Sequence, residues 1–193
     1  MPPLCYFVRH GQTGWNAELR LQGQTDTDIT DFGRGQAKRN GRLLRELVED
    51  PAEFDFVASP LRRTCETMEI VRAEMGLAPK GYRVDSRLME VHLGDWQGFT
   101  YAELERKQPG ATEARLSDKW EFVAPGGESY QMLLDRVRPW FAALDGPTLC
   151  VTHGGVMRVL FRIVENLPGI NVAAMDIPQD RVLRFSGSRL EWL

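Results

Sequence analysis

Cysteine and histidine are scarce: the 193 residues contain three of each. Cys5, Cys65 and Cys150 are odd in number and far apart, so they do not form a disulfide framework. No C-x-x-C pair occurs, and His10, His92 and His153 are widely separated, so no metal site is expected. Two of the cysteines lie inside apolar runs, which fits reduced, buried thiols and a cytoplasmic location. No apolar run approaches the roughly 20 residues needed to cross a bilayer, so no membrane association is expected. Met1-Pro2-Pro3 leads straight into an apolar segment, and the expectation is a chain without a signal peptide. An excess of basic charge is also missing. Lys and Arg number 24 against 27 Asp and Glu, a net charge of -3, which argues against nucleic acid as a partner. Any anion site must then come from arginines placed locally.

What remains is an ordinary globular composition, 42% hydrophobic and 26% charged. That is enough chain for one good core, and a single domain over residues 1–193 is the expectation. Leu4 to Val8 reads as a strand buried on both faces. Residues 11–32 form a long polar loop, and long ordered loops are usually functional. Thr30 can cap a helix whose face is Ala37, Gly41, Leu44 and Val48, stopped by Pro51. Phe54 to Ala58 is a second strand, and a helix from Leu61 to Gly76 follows with Leu61, Cys65, Met68 and Val71 on one face. Val84-Asp85 is a weak strand and Tyr101 to Lys107 a short helix, while residues 111–127 read as mostly polar. A long helix from Glu128, kinked at Pro139, precedes a third buried strand, Thr148 to Thr152. A helix over 156–165 and a hairpin around Ser186-Gly187-Ser188 complete the chain. Strands alternating with helices indicate an α/β, three-layer sandwich with a mostly parallel central sheet.

Three strand ends share a pattern: Arg9-His10-Gly11, Ser59-Pro60-Leu61-Arg62-Arg63 and His153-Gly154-Gly155. In a parallel sheet these ends lie on one edge, where such folds bind ligands. Two histidines and two arginines around one point call for a shared anion, and a phosphoryl group matches guanidinium geometry. Gly154, at the head of a helix, adds a backbone N–H.

These segments resemble the blocks of the histidine phosphatase superfamily, the phosphoglycerate mutase-like group. Four occur in order: Arg9 to Thr13 with Trp15-Asn16, Ser59 to Thr67, Leu88-Met89-Glu90 with Gly94 to Gly98, and Val151 to Gly155. The family more often has Glu where Gln12 stands. The resemblance implies that His10 becomes phosphorylated. It implies that Arg9, Arg63 and His153 hold the phosphoryl oxygens, helped by Asn16 and the Gly154 backbone. Glu90 is then the general acid for the leaving oxygen. The block's arginine falls on Arg63, leaving Arg62 as the variable position. No cofactor is implied.

The physical roles agree with that assignment. A histidine nucleophile must be neutral at its attacking nitrogen, with the other nitrogen fixed by a carbonyl. His153 serves best as a protonated donor, kept charged by the phosphate. Preorganised arginines stabilise charge on the equatorial oxygens. Arg20, Gln22 and Gly23 lie in the loop after His10, and Gln22 and Gly23 join the candidate substrate-binding set; they either shape the loop or reach the rest of the substrate. His92 reads as structural, Trp96 as packing beneath the site, and Glu128-Ser129 as a helix start.

The leading reading is a phosphomonoesterase acting on a small phosphorylated substrate. The alternatives are a cofactor-dependent phosphoglycerate mutase and a non-catalytic phospholigand-binding module; the presence of both His10 and Glu90 disfavours the latter. Mutases of the group carry adjacent arginines on an added segment. They place tyrosine, lysine and asparagine where Leu93, Tyr101 and Gly155 stand. Here Arg106 and Arg115 stand alone, so an open, rather apolar pocket is expected. Oligomeric state has no signature in these motifs.

Overall fold

The computed structural model describes residues 3–193; Met1-Pro2, on which the reading of a start without a signal peptide rests, lies outside them. The chain opens with β1 (Cys5–Arg9), α1 (Gly14–Ala17) and α2 (Asp31–Leu47). Then come β2 (Asp55–Ala58), α3 (Arg62–Glu74), β3 (Arg83–Val84), α4 (Tyr101–Lys107) and α5 (Ala111–Ser117). The rest is α6 (Tyr130–Ala142), β4 (Thr148–Thr152), α7 (Gly154–Val164), α8 (Gly169–Ala174), β5 (Val182–Ser186) and β6 (Arg189–Trp192).

The strands form one sheet in the order β3-β2-β4-β1-β5-β6. The first four of that row run parallel, and the hairpin β5–β6 joins the free edge of β1 antiparallel. Side chains alternate between two cores, as the pleat requires. Tyr6, Val8, Phe56, Ala58, Leu149 and Val151 face Leu44 of α2 and Met68 and Val71 of α3. Cys5, Phe7, Val57 and Cys150 face Leu133, Val137 and Trp140 of α6 and Val156, Met157 and Leu160 of α7. Helices on both faces make the expected three-layer sandwich, and explain why β1 and β4 read as unbroken apolar runs.

The helix starts follow side-chain chemistry. Thr30 caps α2 by accepting from the Gly33 N–H. Ser129 caps α6 through the Met132 N–H, and Glu128 instead accepts from the His92 N–H and pairs with Arg136 at 3.0 Å. This pair therefore begins a helix. Pro139 falls in the last turn of α6. Trp96 is buried and packs on Phe122, with ring centroids 5.0 Å apart. His92 is structural as well, its Nδ1 accepting from the Gly94 N–H at 3.1 Å.

Two readings need correction. Residues 111–127 are not simply a polar stretch: they contain α5 and the buried Trp120 and Ala124. On α3, Leu61, Met68 and Val71 are buried as expected, but Cys65 is only half-buried and Arg63, Thr64 and Thr67 share the buried side. The short helix α8 lies between α7 and the hairpin, where the sequence reading assigned no element.

Candidate active site

Parallel pairing brings the three strand ends together. Arg9 on β1 pairs with Thr152 on β4, and Ala58 on β2 pairs with Val151. The ladder runs one residue further: the His10 N–H donates to the Thr152 carbonyl at 2.9 Å and the Ser59 N–H to the Val151 carbonyl at 3.0 Å. His10 and His153 therefore leave adjacent strands at one level. Their rings meet edge to face with centroids 5.2 Å apart.

The loop carrying His10 is held by close backbone approach. A Cβ on Gly11 would lie 2.4 Å from the Gly33 carbonyl oxygen, so only glycine lets α2 seat against it. The Gly11 N–H donates to Thr67 Oγ1 at 3.0 Å, and that hydroxyl donates to the Arg63 carbonyl. The His10 loop and the Arg63 helix are thus one unit. Gln179 also donates to the His10 carbonyl at 2.9 Å and to Asn16 Oδ1 at 3.1 Å. Asn16, its Oδ1 occupied, also lines the cavity.

His10 Nδ1 donates to the Gly11 carbonyl at 2.8 Å, which leaves Nε2 unprotonated. Burial, and then the charges of Arg63 and Arg9, hold the His10 pKa well below its usual value. Burial and Arg63 do the same to His153. Its imidazole is therefore held neutral at ordinary pH. His153 Nε2 shares a 2.8 Å hydrogen bond with Ser59 Oγ.

The arginines are fixed by carbonyls. Arg9 Nη1 donates to the Ile177 carbonyl at 2.5 Å. Arg63 Nη1 and Nη2 donate to the carbonyls of Thr25 and Gly23 at 2.8 and 2.7 Å. Gly23 therefore positions Arg63 through its backbone, and Gln22 anchors the loop on the Thr13 hydroxyl, while both also line the cavity. Arg9 Nε, Arg63 Nε and His153 Nδ1 are buried without hydrogen-bond partners. Desolvation lowers the Arg63 pKa to about 10, consistent with a cation stripped of water.

Glu90 faces this cluster from the segment before α4. Its Oε2 accepts from the Gly155 N–H at 3.1 Å and its Oε1 from the Val91 N–H at 2.9 Å. A Cβ on Gly155 would stand 2.1 Å from Glu90 Oε1, so the carboxylate reaches the start of α7 only because this residue is glycine. Its backbone carbonyl is held by Arg136 and Gln24, each at 2.9 Å.

The cavity, about 220 Å³, extends from His10 to Arg20, Tyr101, Arg115, Lys119, Tyr130 and Arg158. This corrects the expectation of an apolar pocket with Arg115 standing alone. The sequence hides the grouping because α5, α6 and α7 come together only through packing. Arg20 is part of the rim, bound to Glu103 at 2.7 Å and Glu18 at 2.6 Å. Among the described residues no three His, Cys, Asp or Glu are grouped as metal ligands.

A family model for the histidine phosphatase superfamily (branch 1) matches residues 5–192. The chain belongs to that superfamily. It is 36% identical over 181 residues to a glucosyl-3-phosphoglycerate phosphatase of Mycobacterium tuberculosis, covering 87% of this chain and 78% of the relative. A probable phosphoglycerate mutase of Salmonella paratyphi C is 32% identical over 193 residues, covering 97% and 86%. The fold matches the solved mycobacterial glucosyl-3-phosphoglycerate phosphatase complexed with VO3 at a TM-score of 0.82 and 34% identity, covering 99% of this chain and 96% of that one. Family, fold and similarity make this chain a histidine phosphatase, a hydrolase of phosphomonoesters.

Proposed function

We propose that His10 Nε2 is the atom that attacks phosphorus. The observation carrying this is the pairing of a neutral imidazole, its Nδ1 proton committed to Gly11, with buried arginine donors on either side. As the Nε2–P bond forms, the bond from phosphorus to the alcohol oxygen breaks, and protonated Glu90 gives that oxygen its proton. Water then attacks the phosphohistidine and passes a proton to Glu90. The Nε2–P bond breaks and inorganic phosphate leaves. Arg9, Arg63 and His153 hold the equatorial oxygens throughout, with Asn16 and the Gly154 N–H alongside, and their preorganisation supplies most of the rate.

The similarity to glucosyl-3-phosphoglycerate phosphatases makes glucosyl-3-phosphoglycerate a candidate substrate. Hydrolysis is favoured over mutase action because Leu93 and Gly155 replace the polar groups by which mutases of the group retain their substrate. Reduced thiols support a cytoplasmic location, and the net charge of -3 supports a small-molecule partner over nucleic acid. The test is phosphate release from p-nitrophenyl phosphate and glucosyl-3-phosphoglycerate with EDTA present, beside interconversion of 2- and 3-phosphoglycerate. Release that survives the chelator and outpaces interconversion is expected. Interconversion faster by orders of magnitude would make the chain a mutase.

A further inference from the structure

We propose that Gln179 is a positioning residue for the phosphate cradle: it holds Asn16 so that the amide nitrogen, and not the amide oxygen, faces the anion beside His10. The proposal rests on the phosphatase reading of the cavity and adds what fixes one of its donors.

The first observation is the surroundings of Asn16 Oδ1. An amide oxygen and nitrogen are alike in size, so hydrogen-bond partners decide which of them faces the cavity that Asn16 lines. Three donors converge on Oδ1: the Thr13 N–H at 3.1 Å, Thr13 Oγ1 at 3.2 Å and Gln179 Nε2 at 3.1 Å. The direction of the Thr13 hydroxyl follows from its other partners. Its oxygen already accepts from the Asn16 N–H at 3.1 Å and from Gln22 Nε2, so its proton is left for Asn16 Oδ1. An amide nitrogen in this place would face three donors and accept from none. Among the described residues Asn16 Nδ2 has no hydrogen-bond partner, and it is left for the cavity.

The second is where these donors come from. Thr13 is local, forming one capping box with Asn16 at the start of α1. Gln179 comes from the segment between α8 and β5, 163 positions away in the chain. Its Nε2 carries two protons, one for Asn16 Oδ1 and one for the His10 carbonyl at 2.9 Å. Reversed, Gln179 would set Oε1 against two acceptors, so its amide has one workable orientation. Its backbone is pinned as well: the Gln179 carbonyl accepts at 3.0 Å from Nδ2 of Asn40, which is fully buried on α2. Two residues earlier, the Ile177 carbonyl holds Arg9 Nη1. One segment thus orients Arg9, His10 and Asn16 together and ties them to α2.

The third is the chemistry of the error that Gln179 prevents. Asn16 turned the wrong way would aim oxygen lone pairs at an anion and replace a charge-assisted hydrogen bond by repulsion. An amide oriented before the anion arrives needs no reorganisation when charge develops on the phosphoryl oxygens. Gln179 is half-buried and does not line the cavity, so it acts through Asn16 and His10 and not by touching the anion.

Calorimetric binding of orthovanadate, an oxyanion probe that needs no turnover, tests this in a double-mutant cycle. Gln179→Met keeps the side-chain length and removes the donors. It should weaken binding roughly 5–30-fold, part of the worth of a hydrogen bond to a charged group. In Asn16→Ala protein no amide remains to be oriented, and there the same substitution should cost less than about twofold. Gln179→Leu removes the same donors with a different shape; it should repeat the pattern, and it takes the place of the methionine variant if that one does not fold. Equal losses in both backgrounds would show Gln179 acting through general packing or the His10 carbonyl alone and would overturn the proposal. So would undiminished binding by Gln179→Met. Coupling between the two residues in a protein that releases no phosphate from monoesters would uphold the role of Gln179 and overturn the phosphatase reading instead. Absence of vanadate binding by the unaltered protein would overturn both.

Discussion

At the scale of single residues, position decides charge and charge decides role. Arg62 and Arg63 are neighbours, yet Arg63 is fully buried against the Gly23 and Thr25 carbonyls while Arg62 is exposed and pairs with Asp28 at 2.5 Å. An exposed pair of that kind is worth little. Arg63→Ala should lower kcat/KM by roughly 10²–10³-fold, the effect of removing one preorganised donor, and Arg62→Ala should change it less than about threefold. Steady-state kinetics of the two variants checks this, and equal losses would mean that the clamp arginine is misassigned. Three of the motifs were readable because they begin where a strand ends, whereas Glu90 sits in an irregular segment and was legible only through the family resemblance. Gln179, Arg115, Lys119 and Arg158 were not, since nothing local marks them and only packing brings them to the cavity.

At the scale of elements, the start of α7 meets Glu90, the proposed general acid. Gly155 gives Glu90 both a backbone donor and the space to approach it. Gly155→Ala must push the carboxylate away, so it should lower turnover of alkyl phosphates by roughly 10–100-fold, part of what general acid catalysis supplies. p-Nitrophenyl phosphate has a leaving group that needs little protonation, and should lose much less. Rates for the two substrate types, measured on the variant, distinguish this from general damage, which would slow both alike. Elements themselves were legible to the degree that their signals were local. Thr148–Thr152 and Tyr101–Lys107 match the sequence reading end for end, being an apolar run and a capped helix. The α5 helix escaped because Gly110 starts it without a side-chain cap, and α8, only six residues long, likewise starts without one. The apolar face of α3 was legible at Leu61, Met68 and Val71, but the buried Arg63, Thr64 and Thr67 were not part of it, because that side of the helix also serves the site.

At the scale of the whole molecule, one sheet carries both hydrophobic cores, and we propose that residues 1–193 fold as one domain. Its stability should depend on the two site histidines. Both are held neutral in the folded state by burial and arginine charge. The unfolded chain therefore binds more protons once pH falls below about 6.5, and stability present above that value is lost on acidification. Each histidine can contribute up to about 1.4 kcal/mol per pH unit, down to its folded pKa. Calorimetric scans between about pH 7.5 and about pH 5 should show one transition whose Tm falls with pH. His10→Asn should flatten that slope, and added inorganic phosphate should flatten it further by favouring the charged form of His153. Unchanged slopes would show that the histidines titrate normally.

The most direct measurement is capture of the covalent intermediate. The protein is mixed briefly with a phosphomonoester labelled in its phosphate, denatured in alkali, and digested. A base-stable, acid-labile label on the peptide containing His10 is expected, and His10→Ala should carry none and show almost no turnover. Label on a different residue, or comparable turnover by His10→Ala, would contradict His10 as the nucleophile.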